Sequence, residues 1–555
     1  MRGSTGLVLL LSLALGCGRE TAYRASSPAG PSDDTPQEGG TLVRRLEGDV
    51  TSLNPISGSS RYEAEVTWFL FTPLLQLDQE LNLIPGLAEK WEISTDGRLY
   101  TFHLNPRATF EGGVPVRAAD VLFTLRKIVD PTSEAPQLAG AFEGIDWSHT
   151  AAVDDHTVTV AFNQPRAGQV FAFVLDVLPE HIYSKGDFKT GYATRAVGNG
   201  PYRLVRRVPD KEILLERRED YWGPRPYLRR ILFKIVVDDN TAWNAMKRGE
   251  LDDTLVTSDQ WQLEGNTPQV QRVMDIRRFY TLSYNCIPWN NRDPILSDKR
   301  VRRALAMCLD RKSIIANIFH GTARVMTGPF TPDQWAYNPN VPAIEYDPEG
   351  ALKLFQQAGW GDSDGDGILD KGGKPLQIEM LVAAGTSATV PFVQVYQSEL
   401  KQIGVELKVL SVDPAVMIQR ILKGNYQAAY MGWDIDPDPG GILFPMFHSS
   451  QFPPAGENIV FYANAEVDQL LVDGRQEMNR SRRMAIYQHL HEILAADQPY
   501  FWTMQVSAKW AVSRRIHNVK ESKGFGLYDW FPGPLEWWIP ADQQRQRETR
   551  PAKGR

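Results

Sequence analysis

Residues 85–131 read PGLAEKWEISTDGRLYTFHLNPRATFEGGVPVRAADVLFTLRKIVDP, and their order of local signals decides the fold. Trp91 and Ile93 alternate with polar residues, Asp96-Gly97 supplies a turn, and Tyr100, Phe102 and Leu104 then share one face while Thr101 and His103 share the other. This alternation predicts a half-buried β-hairpin. After the turn at Glu111-Gly112-Gly113, residues Val121, Leu122, Leu125, Ile128 and Val129 fall on one helical stripe, and Asp130-Pro131 stops the helix. Arg117 stands where an N-capping Ser or Thr would be worth about 1 kcal/mol. Asp120 in the first turn offsets part of that loss through the helix dipole.

Moving outward, the first seventeen residues hold one Arg, an apolar run from Leu7 to Leu15, and Gly16-Cys17. That run is too short to span a bilayer and fits an export signal. A small residue directly before a Cys resembles a bacterial lipobox, which makes Cys17 the expected lipidated first residue of the mature chain. Gly18 to Gly39 is polar, with Ser-Ser-Pro and Asp-Asp-Thr-Pro, and is expected to form a flexible tether. No second run of eighteen apolar residues follows, so the membrane is reached through the amino-terminal anchor.

The more than five hundred residues beyond the tether exceed what one core usually supports, so two or three lobes are expected. A net charge of −7 argues against a nucleic-acid partner, and the segment RRVPDKEILLERRED from Arg206 mixes both signs as a solvated strand does. With Cys17 in the anchor, Cys286 and Cys308 remain, and Cys308 continues the apolar stripe of Val301, Ala304 and Leu305. Two unpaired buried thiols are expected. His489 and His491 lie on different helical faces and cannot share a metal as residues four apart do, so they read as surface histidines.

Gly40 to Leu46 and Leu74 to Leu77 read as strands with a loop between them, marked by Asn54-Pro55. From Ser297 the pattern changes. Asp298 is placed to cap a helix, Leu376 to Val382 alternates as a strand, Phe392, Tyr396, Leu400 and Ile403 form a helical stripe that Gly404 ends, and Val405, Leu407 and Val409 alternate again. This β-α-β unit, with a further strand from Tyr426 to Trp433, makes the architecture α/β.

The 85–131 block resembles the signature of the family 5 solute-binding proteins, the peptide-binding receptors of ABC importers. The shared order is L-A-x-x-W, S-x-D-G, Y-T-F-x-L, F-x-x-G-x-P and A-x-D-V. Gly198-Asn199-Gly200-Pro201-Tyr202 and the segment VRRALAMCLDRKSI from Val301 continue the likeness. The resemblance implies a two-lobed, hinged periplasmic-binding-protein fold, class II-like, with an extra inserted domain. Its expected division is signal peptide 1–17, tether 18–39, domain I in three pieces (40–85, 198–288 and 505–541), inserted domain II 86–197, domain III 289–504, and polar tail 542–555. It also implies an exported, lipid-anchored monomer at the periplasm or cell surface. The expected ligand is a peptide and the expected partners are an ABC permease and its ATPase, with no cofactor, no enzymatic activity and no nucleic acid. The alternatives left open are a non-peptide solute on the same fold, or an extracytoplasmic sensor or hydrolase that feeds no transporter.

The strongest site signal is Gly432-Trp433-Asp434-Ile435-Asp436-Pro437-Asp438-Pro439, at the end of a predicted strand, where α/β lobes hold ligands. Peptide-binding members carry an Asp three residues after this Trp that pairs with the peptide α-ammonium. The spacing points to Asp436, with Asp434 and Asp438 as alternatives and Trp433 as a cleft wall. Dipeptide-preferring members place an Arg in the loop after the strand ending at Val382; here the loop is Ala383-Ala384-Gly385-Thr386, with no charge, which argues against a dipeptide preference and leaves open longer peptides, whose backbone can add to a strand edge, or a ligand without a free carboxylate. Asp362, Asp364, Asp366 and Asp370 resemble the start of a calcium loop, but the twelfth position is Gly373 rather than Glu, so a structural turn is the expectation.

Overall fold

In the computed structural model the expected hairpin consists of strands Ala88–Ile93 and Leu99–Leu104, paired antiparallel with Trp91 opposite Phe102 and Ile93 opposite Tyr100. Tyr100, Phe102 and Leu104 are buried, as the period of two requires. Gly97, with φ of 70°, supplies the left-handed turn residue. Strand Thr157–Ala161 pairs with the other edge of Leu99–Leu104, and Ala151–Ala152 completes a four-stranded sheet. Helix Ala118–Val129 buries Val121, Leu125 and Ile128 in the same core. The missing cap at Arg117 is replaced from the helix side. The Asp120 carboxylate accepts the Arg117 N–H at 2.8 Å and the Glu180 N–H at 2.9 Å, so one residue tethers the helix start to a second segment.

The structure describes residues 35–57, 61–133, 135–188, 190–384, 389–454 and 456–544. The signal peptide, Cys17 and nearly all of the tether lie outside the described residues, as does the tail beyond 544. Every described strand and helix belongs to the unit that begins at Gln37.

A seven-stranded sheet is assembled from three distant stretches of chain. Its order is Met274–Phe279, Ala508–Ser513, Asp253–Leu255, Thr41–Leu46, Arg230–Ile235, Glu212–Arg217 and Tyr202–Val208. Thr41–Leu46 runs parallel to Arg230–Ile235 at its centre, and all six of its residues are buried. Such continuous burial is what a strand covered on both faces shows. A six-stranded sheet follows in the order Ala323–Val325, Tyr500–Val506, Ser283–Pro288, Ala428–Asp434, Gln377–Ala383 and Glu406–Val412. Helix Thr389–Gln402 links the parallel last two strands, and Gly404, with φ of 79°, follows that helix.

The chain passes between these sheets at 280–282 and returns at Ser507. The two passages touch: Gln505 Nε2 donates to the Thr281 carbonyl at 2.6 Å. Adjacent single-strand crossings of this kind form a hinge between two lobes.

Two expectations change. The stretch read as loop before Leu74 contains helix Arg61–Leu70, whose Val66, Phe69 and Leu70 form a short buried stripe. His491 is fully buried rather than at the surface. It shares a face of helix Arg480–Asp497 with Tyr487, Leu490 and Leu494, and burial lowers its pKa to about 4. Cys286 and Cys308 are free buried thiols, each with its pKa raised by burial.

Candidate functional site

Strand Ala428–Asp434 lies in the middle of the six-stranded sheet, and its end delivers the aspartate-rich loop. Ile435 is buried and donates its N–H to the Leu282 carbonyl at 2.8 Å, which fixes the loop to the hinge passage. Helix Pro439–Phe447 begins directly after it. Three carboxylates thus sit on five residues of backbone, 434–438, and the structure gives each a different surrounding.

Asp438 is buried and occupied. One of its oxygens accepts the Gly440 N–H at 2.9 Å as the helix N-cap, and both oxygens meet the Arg483 guanidinium at 2.5 and 2.6 Å. Its acceptor positions are used inside the protein, so it is not free to face a ligand. Asp436 is the opposite case. Its backbone carbonyl accepts Gln334 Nε2 at 2.9 Å, while its carboxylate has no hydrogen bond or ion pair among the described residues. The side chain is open to solvent and yet walled by protein, as at the floor of a cleft. Desolvation first, then the negative charges of Asp438 and Glu457, push its pKa up to about 6. Gly441 leaves this carboxylate its space, because a Cβ there would lie 3.0 Å from Asp436 Oδ2. Trp433 is half-buried, sits opposite Tyr284 in the strand ladder, and leaves its Nε1 without a partner.

Asp434 is exposed, with its pKa raised by desolvation and drawn back by the charge of Arg61. Arg61 opens helix Arg61–Leu70 on the other lobe and binds Glu47 at 3.0 Å and Glu65 at 3.2 Å. Behind it, the fully buried Arg44 donates to Asp253 at 3.0 Å and to Glu65 at 3.2 Å and lies 3.5 Å over the Tyr528 ring. Tyr528 donates its hydroxyl to Asp253. Glu65 is pushed up to about 7 by burial in spite of both arginines. Asp529 completes this group, and it too has a pKa raised by burial. The charged set facing the aspartate loop could not be read from sequence, because its members come from both ends and the middle of the chain.

A second contact joins the lobes beside Asp438. Ala167 donates its N–H to the Arg475 carbonyl at 2.6 Å, and its own carbonyl accepts Arg483 Nη2 at 3.1 Å. Gly168 follows in a left-handed conformation, φ 80°, where a Cβ would fall 2.5 Å from the Asp438 carboxylate. Only glycine allows this approach.

Of the calcium-like loop, Asp362, Asp364 and Asp370 place oxygens within 4.8 Å of one another, and Asp366 is not in that group. Both oxygens of Asp362 already accept N–H groups of the loop, from Gly365 and Gly367, as a turn requires. Of the uncharged loop after Val382, Gly385 and Thr386 lie outside the described residues.

A model of the bacterial extracellular solute-binding proteins, family 5, matches residues 82–454. The oligopeptide-binding protein AppA of Bacillus subtilis is 28% identical over 548 residues, covering 96% of this chain and 97% of that one. Heme-binding protein A of Haemophilus influenzae is 26% identical over 475 residues, covering 81% and 84%. Among solved structures, AppA from Bacillus subtilis in complex with a nonapeptide has a TM-score of 0.80 at 26% identity, covering 91% of this chain and 100% of that one. NikZ from Campylobacter jejuni in complex with Ni(L-His) has the same fold, with a TM-score of 0.79 at 24% identity over 90% and 99% of the two chains. No helix among the described residues is long and apolar enough to cross a membrane. The family match over more than half of the chain, on the shared two-lobed fold, shows that this protein belongs to the bacterial extracellular solute-binding proteins of family 5, receptors of ABC importers rather than enzymes.

Proposed function

We propose that this protein is a membrane-tethered receptor that binds peptides, oligopeptides above all, between its lobes and delivers them to an ABC permease. The observation that carries this reading is the Asp436 carboxylate, walled in at the end of a central strand with no partner of its own. A desolvated carboxylate without a counter-ion is unfavourable by several kcal/mol unless something cationic meets it. A peptide α-ammonium supplies that charge and three donors. Trp433 forms a wall of this subsite, and Asp434 lies at its rim facing Arg61. Ligand that touches both lobes favours the closed state by its differential affinity, and the permease then recognises that state. The name of the AppA relative accords with oligopeptides as the ligand class. Lipidation at Cys17 supplies the tether, and the domain division expected from the sequence is part of the same proposal.

The relative named for heme makes a non-peptide solute the second reading. Native mass spectrometry of the purified protein, before and after mild unfolding, separates the two. Release of a peptide ladder is the expected result. A heme or metal complex, or an empty protein that no peptide of about two to eight residues stabilises, overturns the peptide assignment.

A further inference from the structure

Asp529 is a second carboxylate at the cleft without a partner. It lies on the lobe opposite Asp436 and takes a left-handed backbone conformation, φ 63°, which exposes its side chain beside Glu65 and Arg61. Arg61 is within electrostatic reach of both Asp529 and Asp434, so Asp529 opens onto the same cleft as the aspartate loop. No hydrogen bond or ion pair to its carboxylate exists among the described residues. The two nearby arginines are already engaged, Arg44 by Asp253 and Glu65, and Arg61 by Glu47 and Glu65. Two cations are therefore shared among four carboxylates, and the group lacks positive charge.

Asp529 also lines a cavity of about 50 Å³, whose walls include Trp68, Phe71, Gln76, Trp530 and Phe531. Trp530 is 4% exposed and its Nε1 has no hydrogen-bond partner. The volume holds roughly three or four water-sized groups in a row. That is the end of a lysine side chain, two methylenes and an ammonium. Aromatic walls suit the methylenes and attract the cation through their faces, and the carboxylate accepts its N–H donors.

We propose that the Asp529 cavity is a subsite for a cationic side chain of lysine size, and that it makes this receptor select basic peptides. The inference rests on the peptide reading above and adds the side-chain class. A neutral side chain of the same length would leave Asp529 desolvated and unpaired, and an acidic one would face Glu65 and Asp529 together.

The test is isothermal calorimetry with alanine-based peptides in which one position, moved along the chain, is lysine or its uncharged isostere norleucine. At the position that reaches the cavity, wild type is expected to bind the lysine peptide at least tenfold more tightly. In Asp529→Asn, a residue that tolerates the left-handed conformation, the two peptides are expected to bind within twofold of one another. Unchanged affinity for the norleucine peptide serves as the folding control. Equal binding of both peptides at every position by wild type, or a lysine preference that survives in Asp529→Asn, overturns the subsite and leaves the peptide reading standing. Failure of wild type to bind any peptide overturns both.

Discussion

Asp436 and Asp438 stand two positions apart in one loop of one lobe, and they could hardly differ more. Asp438 caps a helix and holds Arg483 with both oxygens; Asp436 holds nothing. Asp438 is buried, whereas Asp436 stands open to solvent between walls of protein. The separating feature is whether the protein supplies the compensating charge. Where it does, the group holds the fold together; where it does not, the deficit is left for a solute.

The largest expected effect falls on the paired residue. Asp438→Ala leaves Arg483 buried with only neutral acceptors, the Gly474 and Ala167 carbonyls and the Tyr487 hydroxyl, and is expected to reduce stability by about 3–5 kcal/mol. Urea denaturation measures this. A midpoint equal to that of wild type would show that the ion pair is dispensable and the contrast with Asp436 mistaken.

Asp436→Asn is expected to do the reverse. Stability stays level or rises, because a desolvated charge is removed, while peptide affinity falls about 10–100-fold, the worth of a hydrogen bond between charged groups. Calorimetry and denaturation on the same variant sharpen the comparison. A loss of stability like that of Asp438→Ala would erase it.

Gly168→Ala probes the point where the lobes meet next to the pair. A left-handed alanine costs about 1–2 kcal/mol, and its Cβ would press on the Asp438 carboxylate. Because this contact joins the lobes, the strain weakens the closed state, and an affinity loss of about tenfold is expected. Tryptophan fluorescence follows closure, with fifteen Trp residues in the chain. Unaltered closure would place the latch elsewhere.

The smallest effect is on pH dependence. Asp436 titrates near 6 in the folded protein, above the ordinary carboxylate value of about 4, so between these values the native state holds a proton that the unfolded chain has released. Stability therefore falls as pH rises through that window, and it does so less in Asp436→Asn. Binding runs the other way. The ammonium needs the ionised carboxylate, so peptide affinity is expected to fall as pH drops below about 6. Glu457 and Asp438, which face the same carboxyl, are left in place by the variant and set its background. Affinities at pH 5 and 7.5 that change equally in wild type and variant would assign the dependence to another group.

Much of the fold was legible. The hairpin at 88–104 and the helix at 118–129 each keep one period over enough residues for the buried face to show. Helix Arg61–Leu70 was missed because its buried stripe is short and follows a run of turn residues. His491 was misplaced because a histidine beside Tyr487 and Leu494 counts as polar in a pattern, although burial keeps it neutral.

The sequence alone determined the family, the α/β architecture and the aspartate-rich loop at a strand end that the proposed function uses, because these depend on residues close together in the chain. It pointed to Asp436 through the family's spacing, with Asp434 and Asp438 as alternatives, but could not show which of the three is left without a partner. That choice depends on Arg483, forty-five positions past Asp438, and on Arg61, at the far side of the cleft. Nor could it show Asp529 beside Glu65, since nothing local couples the two ends of the chain. Charge compensation acts through space over a few ångströms, so only the tertiary structure decides which carboxylates are satisfied and which still await a cation.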